Sequence, residues 1–146
     1  VRSMGRGAMG VRGIRLDDKD TVIGMEVAEP KTKKTLLTVC ENGYGKRTDL
    51  DEYRHQGRGG SGVITIKATD RNGAVVGIYL VENKDHLMVM TEKGKIIRMT
   101  CSGLRVISRN TQGVRLVRLE EGDKIASVEP VIDDGEDAKP AEEEKK

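Results

Sequence analysis

The chain has 146 residues and a formal net charge of +2, and 36% of its residues are hydrophobic and 34% charged. This length suffices for one ordinary domain, whose core must consist of Val, Ile, Leu and Met because Phe and Trp are absent. No apolar stretch approaches the roughly 18 residues that cross a bilayer, and no charged segment followed by an apolar run marks a signal peptide, so we expect a cytoplasmic protein without membrane contacts.

The first predicted elements are a glycine-rich turn and the apolar run that follows it. Gly5–Gly10 is rich in small residues, and Val11–Leu16 has the short apolar composition of a strand. The acidic segment Asp17–Asp20 then predicts a turn before the next β-branched run, Val22–Met25. Residues 1–16 contain four arginines and no acid, so this part of the chain is predicted to form short, basic β-strands.

The next predicted elements are β-hairpins with tight turns. Leu36–Val39 is followed by Asn42-Gly43, and Leu87–Met90 is followed by Lys93-Gly94. Glycine or asparagine supplies the positive φ that such turns need. No window of 12 or more residues sustains a helical apolar stripe, so the sequence predicts an all-β chain of short antiparallel strands. Two further turns are predicted at Arg71-Asn72-Gly73 and Glu121-Gly122-Asp123.

The chain is internally repetitive, with a period of about 51 residues. Arg6 lies 52 residues before Arg58, and Arg58 lies 51 residues before Arg109. About 50 residues with roughly four short strands is the size of one propeller-type blade, and a blade must stack on its neighbours to bury its faces. The repeat therefore predicts two full blades (6–57 and 58–108) and part of a third (109–131). Because the sequence opens without Met inside this pattern, we expect part of a longer protein.

The glycine-rich segments of the first two units match GxGxxG, a pattern of dinucleotide-binding folds. In those folds the motif precedes a helix whose N-terminus receives a pyrophosphate, whereas here it leads into strand-like Val11–Leu16 and Val63–Lys67. We therefore reject a nucleotide-dependent enzyme. In the third unit Asn110 replaces the second glycine, so we expect a tight turn with one left-handed residue there. Such turns can bond phosphate through backbone N–H groups and the shared arginine.

The distribution of charge indicates a polyanionic partner, and the candidate is double-stranded DNA. Residues 132–146 hold seven acidic and three basic residues, and this charge of −4 leaves +6 for residues 1–131. A basic body suits a polyanion, and the acidic tail is expected to be disordered or to compete with DNA as a mimic. The predicted DNA-binding residues are Arg6, Arg12, Lys46, Arg47, Arg54, Arg58, Lys67, Lys95, Arg98, Arg105, Arg109, Arg115 and Arg118.

The two cysteines, Cys40 and Cys101, lie far apart in the sequence. Neither has a CxxC or Cys/His spacing. We expect two buried free thiols, in preference to a disulfide or a metal site.

Taken together, the motifs resemble the C-terminal domain family of the bacterial DNA gyrase A protein. The resemblance covers residues 1–131 and rests on Met9–Leu16, Asn42–Thr48, Gln56–Gly62, Gly62–Gly77 and Arg109–Val114, followed by the acidic tail. It implies a six-bladed β-pinwheel whose basic perimeter wraps DNA without reading base sequence. The box-like loop Gln56, Gly57, Arg58, Gly59, Gly60, Ser61, Gly62 is similar to the family's Gln-Arg-Arg-Gly-Gly-Lys-Gly box, but it departs from that box at Gly57 and Ser61.

The resemblance also implies a role within a larger enzyme on the bacterial chromosome. DNA gyrase is an ATP-dependent type IIA topoisomerase of two A and two B subunits, and wrapping gives it negative-supercoiling directionality. Its ATP, Mg²⁺ and catalytic residues belong to other segments, so no cofactor, metal or catalytic residue is expected in this chain. We assign none of Tyr44, Tyr53 and Tyr79 as a nucleophile.

Two alternatives remain open on the sequence. One is the corresponding domain of topoisomerase IV, which decatenates DNA. The other is a protein-interaction propeller of the regulator-of-chromosome-condensation type, which would carry rim loops of mixed charge.

Overall fold

The structure is a computed structural model that describes residues 2–29 and 31–131. Its described part contains strands and two single-turn 3-10 helices, Leu50–Glu52 and Cys101–Gly103, which confirms the all-β class. No helix in this part is long and apolar enough to cross a membrane. The predicted acidic tail, 132–146, lies outside the described residues.

The strands are β1 (Thr35–Cys40), β2 (Tyr44–Asp49), β3 (Val75–Val81), β4 (His86–Thr91), β5 (Ile96–Thr100), β6 (Val114–Arg115) and β7 (Ile125–Val131).

The strands form two antiparallel sheets, with the orders β3-β1-β2-β6 and β5-β4-β7. The two sheets meet along β3 and β7, and apolar side chains such as Leu37, Val81 and Leu87 are fully buried in the core between them. Strand β6 of the first sheet and strand β5 of the second therefore each form the edge of their own sheet that lies away from this contact. We call each of these two edges the outer edge of its sheet.

The sequence repeat has a direct counterpart in the structure. Strands β1 and β4 begin 51 residues apart, as do the two 3-10 helices. One backbone hydrogen bond recurs in all three units, from the amides of Asp20, Asn72 and Asp123 to the carbonyl three residues earlier. Neighbouring units nevertheless share sheets: the four-stranded sheet takes β1 and β2 from unit 6–57, β3 from unit 58–108 and β6 from unit 109–131. Successive units are thus held together by strand pairing as well as by packing.

The predicted hairpin turns form where glycine supplies a left-handed residue. Gly43 joins β1 to β2 with a φ of 81°, and Gly94 joins β4 to β5 with a φ of 84°. A Cβ atom at Gly43 would lie 2.5 Å from the carbonyl oxygen of Val117. Glycine at this turn therefore also permits the close approach of the chain that follows β6.

Three predicted strands are absent from the described part of the chain. Val11–Leu16 forms only an isolated bridge between Ile14 and Gly60, and Val22–Met25 and Val63–Lys67 form no strand. A strand needs a neighbour that supplies a ladder of hydrogen bonds. In the described residues Val11–Leu16 and Val63–Lys67 lie beside turns. Gly24 lies near the Ile78 side chain of β3, and Val22 and Met25 are exposed.

Both cysteines are free and buried, which confirms the sequence prediction. Burial raises the pKa of the Cys40 thiol to about 11 and also raises the pKa of Cys101. Since the thiolate is the reactive form, the folded protein combines two barriers to modification, namely poor access and little thiolate.

We therefore expect the folded chain to resist iodoacetamide at pH 7.5, with both cysteines reacting only through unfolding. The measurement is the rate of mass increase in buffer and in denaturant. Modification of the folded chain as fast as that of the unfolded chain would contradict the buried positions of Cys40 and Cys101.

Candidate nucleic-acid interface

The third glycine-type turn projects from the outer edge of the four-stranded sheet. The chain approaches along β2, where the Ile107 amide donates to the Arg47 carbonyl at 2.9 Å. It then reverses, and β6 pairs with Tyr44 and Gly45 of β2. The intervening residues 108–113, which we call the third turn, therefore stand out from the sheet beside Lys46.

Lys46 holds the third turn from behind. Its side chain is fully buried, and its Nζ donates to the Ser108 carbonyl at 2.8 Å, to the Arg109 carbonyl and to Thr111 Oγ1 at 3.2 Å. Burial lowers the pKa of this amine below its usual value. The structure therefore corrects the prediction that Lys46 contacts DNA: its ammonium is used inside the protein to fix the turn that carries Arg109.

Arg47, a second predicted DNA-binding residue, is also buried. Its side chain is 3% exposed. The Nε donates to Thr35 Oγ1 at 2.8 Å, and Nη1 donates to Asn83 Oδ1 and to the Cys101 carbonyl. Arg47 therefore links β2 to the start of β1 and to the loops around the second sheet, and its buried side chain does not fit the prediction of a DNA contact.

Arg109 keeps its charge at the surface of the third turn. The Glu52 carboxylate accepts hydrogen bonds from the Arg109 amide at 2.7 Å and from Ser108 Oγ at 3.1 Å. The Arg109 guanidinium itself donates from Nη1 to the Ile64 carbonyl at 2.6 Å. A carboxylate thus fixes the backbone of the turn, while the guanidinium is oriented by a neutral carbonyl.

The segment that follows the first turn (residues 5–10) and the segment that follows the second turn (residues 57–62) each donate one hydrogen bond to the next turn. The Arg15 amide donates to the Gly60 carbonyl at 2.9 Å, and one unit later the Lys67 amide donates to the Thr111 carbonyl at 2.9 Å. The segment after each turn therefore lies beside the next turn. The Arg12 carbonyl lies 3.6 Å from the position that a Cβ atom would take at Gly59. This arrangement brings Arg12 to the second turn and links the three turns in a series.

The left-handed residue common to the three turns is their last glycine. Gly10, Gly62 and Gly113 have φ values of 82°, 83° and 76°. Asn110 has no positive φ, so the prediction for that position is wrong, although its counterpart Gly59 has a φ of 73°. At Gly113 a Cβ atom would lie 2.6 Å from the Gly45 carbonyl oxygen, so only glycine permits the turn to return to β2 here.

Of the other predicted DNA-binding residues, Lys95 and Arg98 have side-chain partners within the protein. Lys95 lies on the outer edge just before β5 but forms an ion pair with Glu120 at 2.5 Å. Arg98 lies on β5 with its Nε 3.4 Å from His86 Nδ1. The box-like loop 56–62 forms a turn. Among the described residues, its β-bridge is the one between Gly60 and Ile14. The remaining exposed residues of the set are Arg6, Arg12, Arg54, Arg58, Lys67, Arg105, Arg115 and Arg118.

Sequence reasoning missed a cluster around Tyr44. The guanidinium carbon of Arg71 lies 4.5 Å from the centre of the Tyr44 ring, and that of Arg115 lies 5.4 Å from it. Arg115 Nη2 also donates to the Tyr44 hydroxyl at 2.8 Å. This hydrogen bond, together with Arg71, lowers the pKa of the phenol. Arg115 is among the predicted DNA-binding residues and Arg71 lies in a predicted turn, but sequence spacing could not place either of them near Tyr44.

The family model and two relatives that match this chain represent DNA gyrase A proteins or their C-terminal domain. A family model described as the DNA gyrase C-terminal domain, beta-propeller, matches residues 1–29, 34–82 and 85–132. The chain is 44% identical over 140 residues to the DNA gyrase A protein of Haloquadratum walsbyi and 45% identical over 142 residues to that of Salmonella typhimurium. Each alignment covers 94% of this chain and 16% of the relative. The chain therefore spans about one sixth of the length of these relatives.

Two solved structures of C-terminal domains have folds similar to that of this chain. A DNA gyrase A C-terminal domain matches 67% of this chain and 33% of its own length, with a TM-score of 0.63 and 27% identity. The C-terminal domain of a DNA topoisomerase IV matches 83% of this chain and 38% of its own length, with a TM-score of 0.75 and 22% identity, which supports the fold alone. With the family model covering most of its length, this chain belongs to the DNA gyrase C-terminal domain family of β-propeller domains.

Proposed function

We propose that the chain binds and wraps duplex DNA along its arginine-bearing turns. The observation that carries this proposal is the series of arginine-bearing turns, in which a repeated backbone hydrogen bond joins each turn to the segment after the preceding one. Arg58 is exposed, and the Arg109 guanidinium is oriented by a neutral carbonyl. Arginines in such turns can form bidentate contacts with phosphates while the small residues beside them let the DNA backbone approach.

Binding of this kind depends on the DNA backbone and on bending. Bending 20–30 base pairs by 40–90° costs on the order of 1–6 kcal/mol, so wrapping requires many phosphate contacts. Each contact releases counterions, and six to ten contacts weaken binding by roughly 10³–10⁵ between 50 and 200 mM salt. No recognition helix lies among the described residues, and we therefore propose binding that is insensitive to base sequence.

Within the whole enzyme, wrapping would set the direction of strand passage. We propose that this chain acts as part of an ATP-dependent type IIA topoisomerase with gyrase B subunits, where the wrap favours negative supercoiling on the bacterial chromosome. No group of three or more His, Cys, Asp or Glu residues suited to a metal ion occurs in the described ranges. We propose that the ATP and Mg²⁺ of the implied enzyme are bound by other segments of it.

The proposal is tested by measuring the affinity of the chain for duplexes of 20 to 150 base pairs over a salt series. We expect affinity to rise with length beyond the increase in site number, to fall steeply with salt, and to be equal for two unrelated sequences of the same composition. Salt-independent binding, or no binding at 50 mM salt, would instead favour a protein-interaction propeller.

A further inference from the structure

We propose that Tyr44, Arg71 and Arg115 form a phosphate-binding clamp for the DNA backbone, a site separate from the glycine-type turns. The inference rests on the proposed function, because its ligand is a phosphodiester of the same wrapped DNA. Two arginines lie over one tyrosine ring and face the same solvent-filled hollow, which Asn42 and Arg118 also line. The ligand chemistry that fits guanidinium groups lining one hollow is an oxyanion, and phosphate is the oxyanion that duplex DNA carries.

The backbone of both arginines is fixed by specific hydrogen bonds. Asn42 Nδ2 donates to the Asp70 carbonyl at 3.2 Å and to the Arg71 carbonyl at 3.3 Å, which holds the turn that carries Arg71. Arg115 lies opposite Tyr44 in the pairing of β6 with β2. The Tyr44 ring then orients both side chains through cation–π contacts. The two guanidinium groups are therefore arranged before any ligand binds, and binding loses less side-chain freedom.

The two guanidinium groups contact a neutral ring in a hollow that holds three arginines (Arg71, Arg115 and Arg118) and two acids, Glu120 and Asp123. Among the described residues, Asp123 Oδ2 is buried without a hydrogen-bond partner, while other carboxylate oxygens nearby have partners. Glu120 pairs with Lys95 at 2.5 Å and Glu41 pairs with Lys124 at 2.9 Å. Asp123 Oδ1 accepts from the backbone amides of residues 93 and 124. No ion pair of Arg71 or Arg115 occurs within the described residues, so the hollow keeps positive charge that a phosphate can neutralise.

The position of the clamp extends the path of the turns. Arg115 lies in β6 at the outer edge, only six residues after Arg109. In the next unit Lys95 takes the place of Tyr44 and Gly122 that of Arg71, at the repeat spacing of 51 residues. The cluster is therefore specific to this blade, and it adds a contact that the repeated turn motif alone does not provide.

The test compares Arg71→Gln and Arg115→Gln with the matched controls Lys34→Gln and Lys124→Gln. All four changes remove one positive charge, but Lys34 lies where β3 and β7 meet, and Lys124 is paired with a carboxylate. The probe is a 100-base-pair duplex, and the readout is the slope of log affinity against log salt for the full 146-residue chain. Each arginine variant is expected to lower the slope by about 0.9 and to weaken binding roughly 8-fold at 0.1 M salt. The controls are expected to change the slope by much less.

The outcomes separate the clamp from the turns. If Arg71→Gln and Arg115→Gln bind like their controls while alanine at the turn arginines lowers the slope, the clamp is wrong and the proposed wrapping stands. If neither set of variants changes the slope, both proposals fail. Thermal unfolding of each variant is measured alongside, and Arg71→Lys, which keeps the charge but not the planar fork, is expected to restore only part of the affinity.

Discussion

Replacing Arg6, Arg58 and Arg109 together by alanine is expected to lower the salt slope of DNA binding by about 2.7 and to weaken binding in 0.1 M salt by roughly 500-fold. These figures follow from one phosphate contact for each turn, with each contact releasing about 0.9 counterion. Arg6 and Arg58 are exposed, and the Arg109 guanidinium hydrogen-bonds only to a carbonyl among the described residues. The three losses should be cumulative because each arginine belongs to a different unit.

The control for this variant removes three lysines from the other side of the sheets. Lys34 and Lys84 line a hollow with Leu80 of β3 and Pro130 of β7, where the two sheets meet, and Lys33 is the neighbour of Lys34. Alanine at these three positions changes the net charge equally. We expect a smaller loss of affinity from the general field alone. Equal slopes for the two triple variants would mean that DNA does not follow the arginine turns.

Replacing Lys46 by methionine is expected to lower the free energy of unfolding by about 3 kcal/mol, although Lys46 lies in a basic motif of the first unit. Methionine fills a similar volume but leaves the carbonyls of Ser108 and Arg109 without their buried donor. Such groups cost free energy when they are desolvated and not hydrogen-bonded. Denaturant unfolding of the wild-type and variant chains measures the difference.

Loosening of the third turn should accompany this loss of stability. Below the unfolding transition, Lys46→Met is expected to reduce the DNA salt slope about as much as Arg109→Ala does, because the guanidinium is no longer held in place. Lys124→Met is the control, since Lys124 forms a partly exposed ion pair with Glu41 and its removal should change stability much less. A Lys46→Met chain as stable as the wild type would contradict the buried hydrogen bonds of this amine.

The sequence predicted those features that depend on local chemistry or on the repeat. Turns at Gly43 and Gly94 followed from the need for positive φ, and the structure has it at both. The period of about 51 residues predicted equivalent elements, and β1 and β4 begin at that spacing. The buried thiols followed from the absence of partner motifs. None of these features needs knowledge of which segments meet in space.

Features that depend on contacts between units were not predictable in this way. Lys46 and Arg47 lie in a basic run that resembles a solvent-facing strand, yet their hydrogen-bond partners include groups 63 and 36 residues away in the sequence. Val63–Lys67 has strand composition but lies beside a turn of the next unit. The cluster at Tyr44 joins residues from three units. Burial and pairing of a charged residue are set by these distant neighbours, so sequence spacing alone cannot give them.

Photo-crosslinking shows most directly which part of the chain touches DNA. A photo-crosslinking phenylalanine derivative is placed in turn at the positions of Arg58, Arg109 and Lys84, and each chain is irradiated with a labelled 100-base-pair duplex. We predict crosslinks from positions 58 and 109 in the arginine-bearing turns, and only background from position 84 where β3 and β7 meet. Crosslinking from position 84 with none from 58 and 109 would contradict DNA binding along these turns.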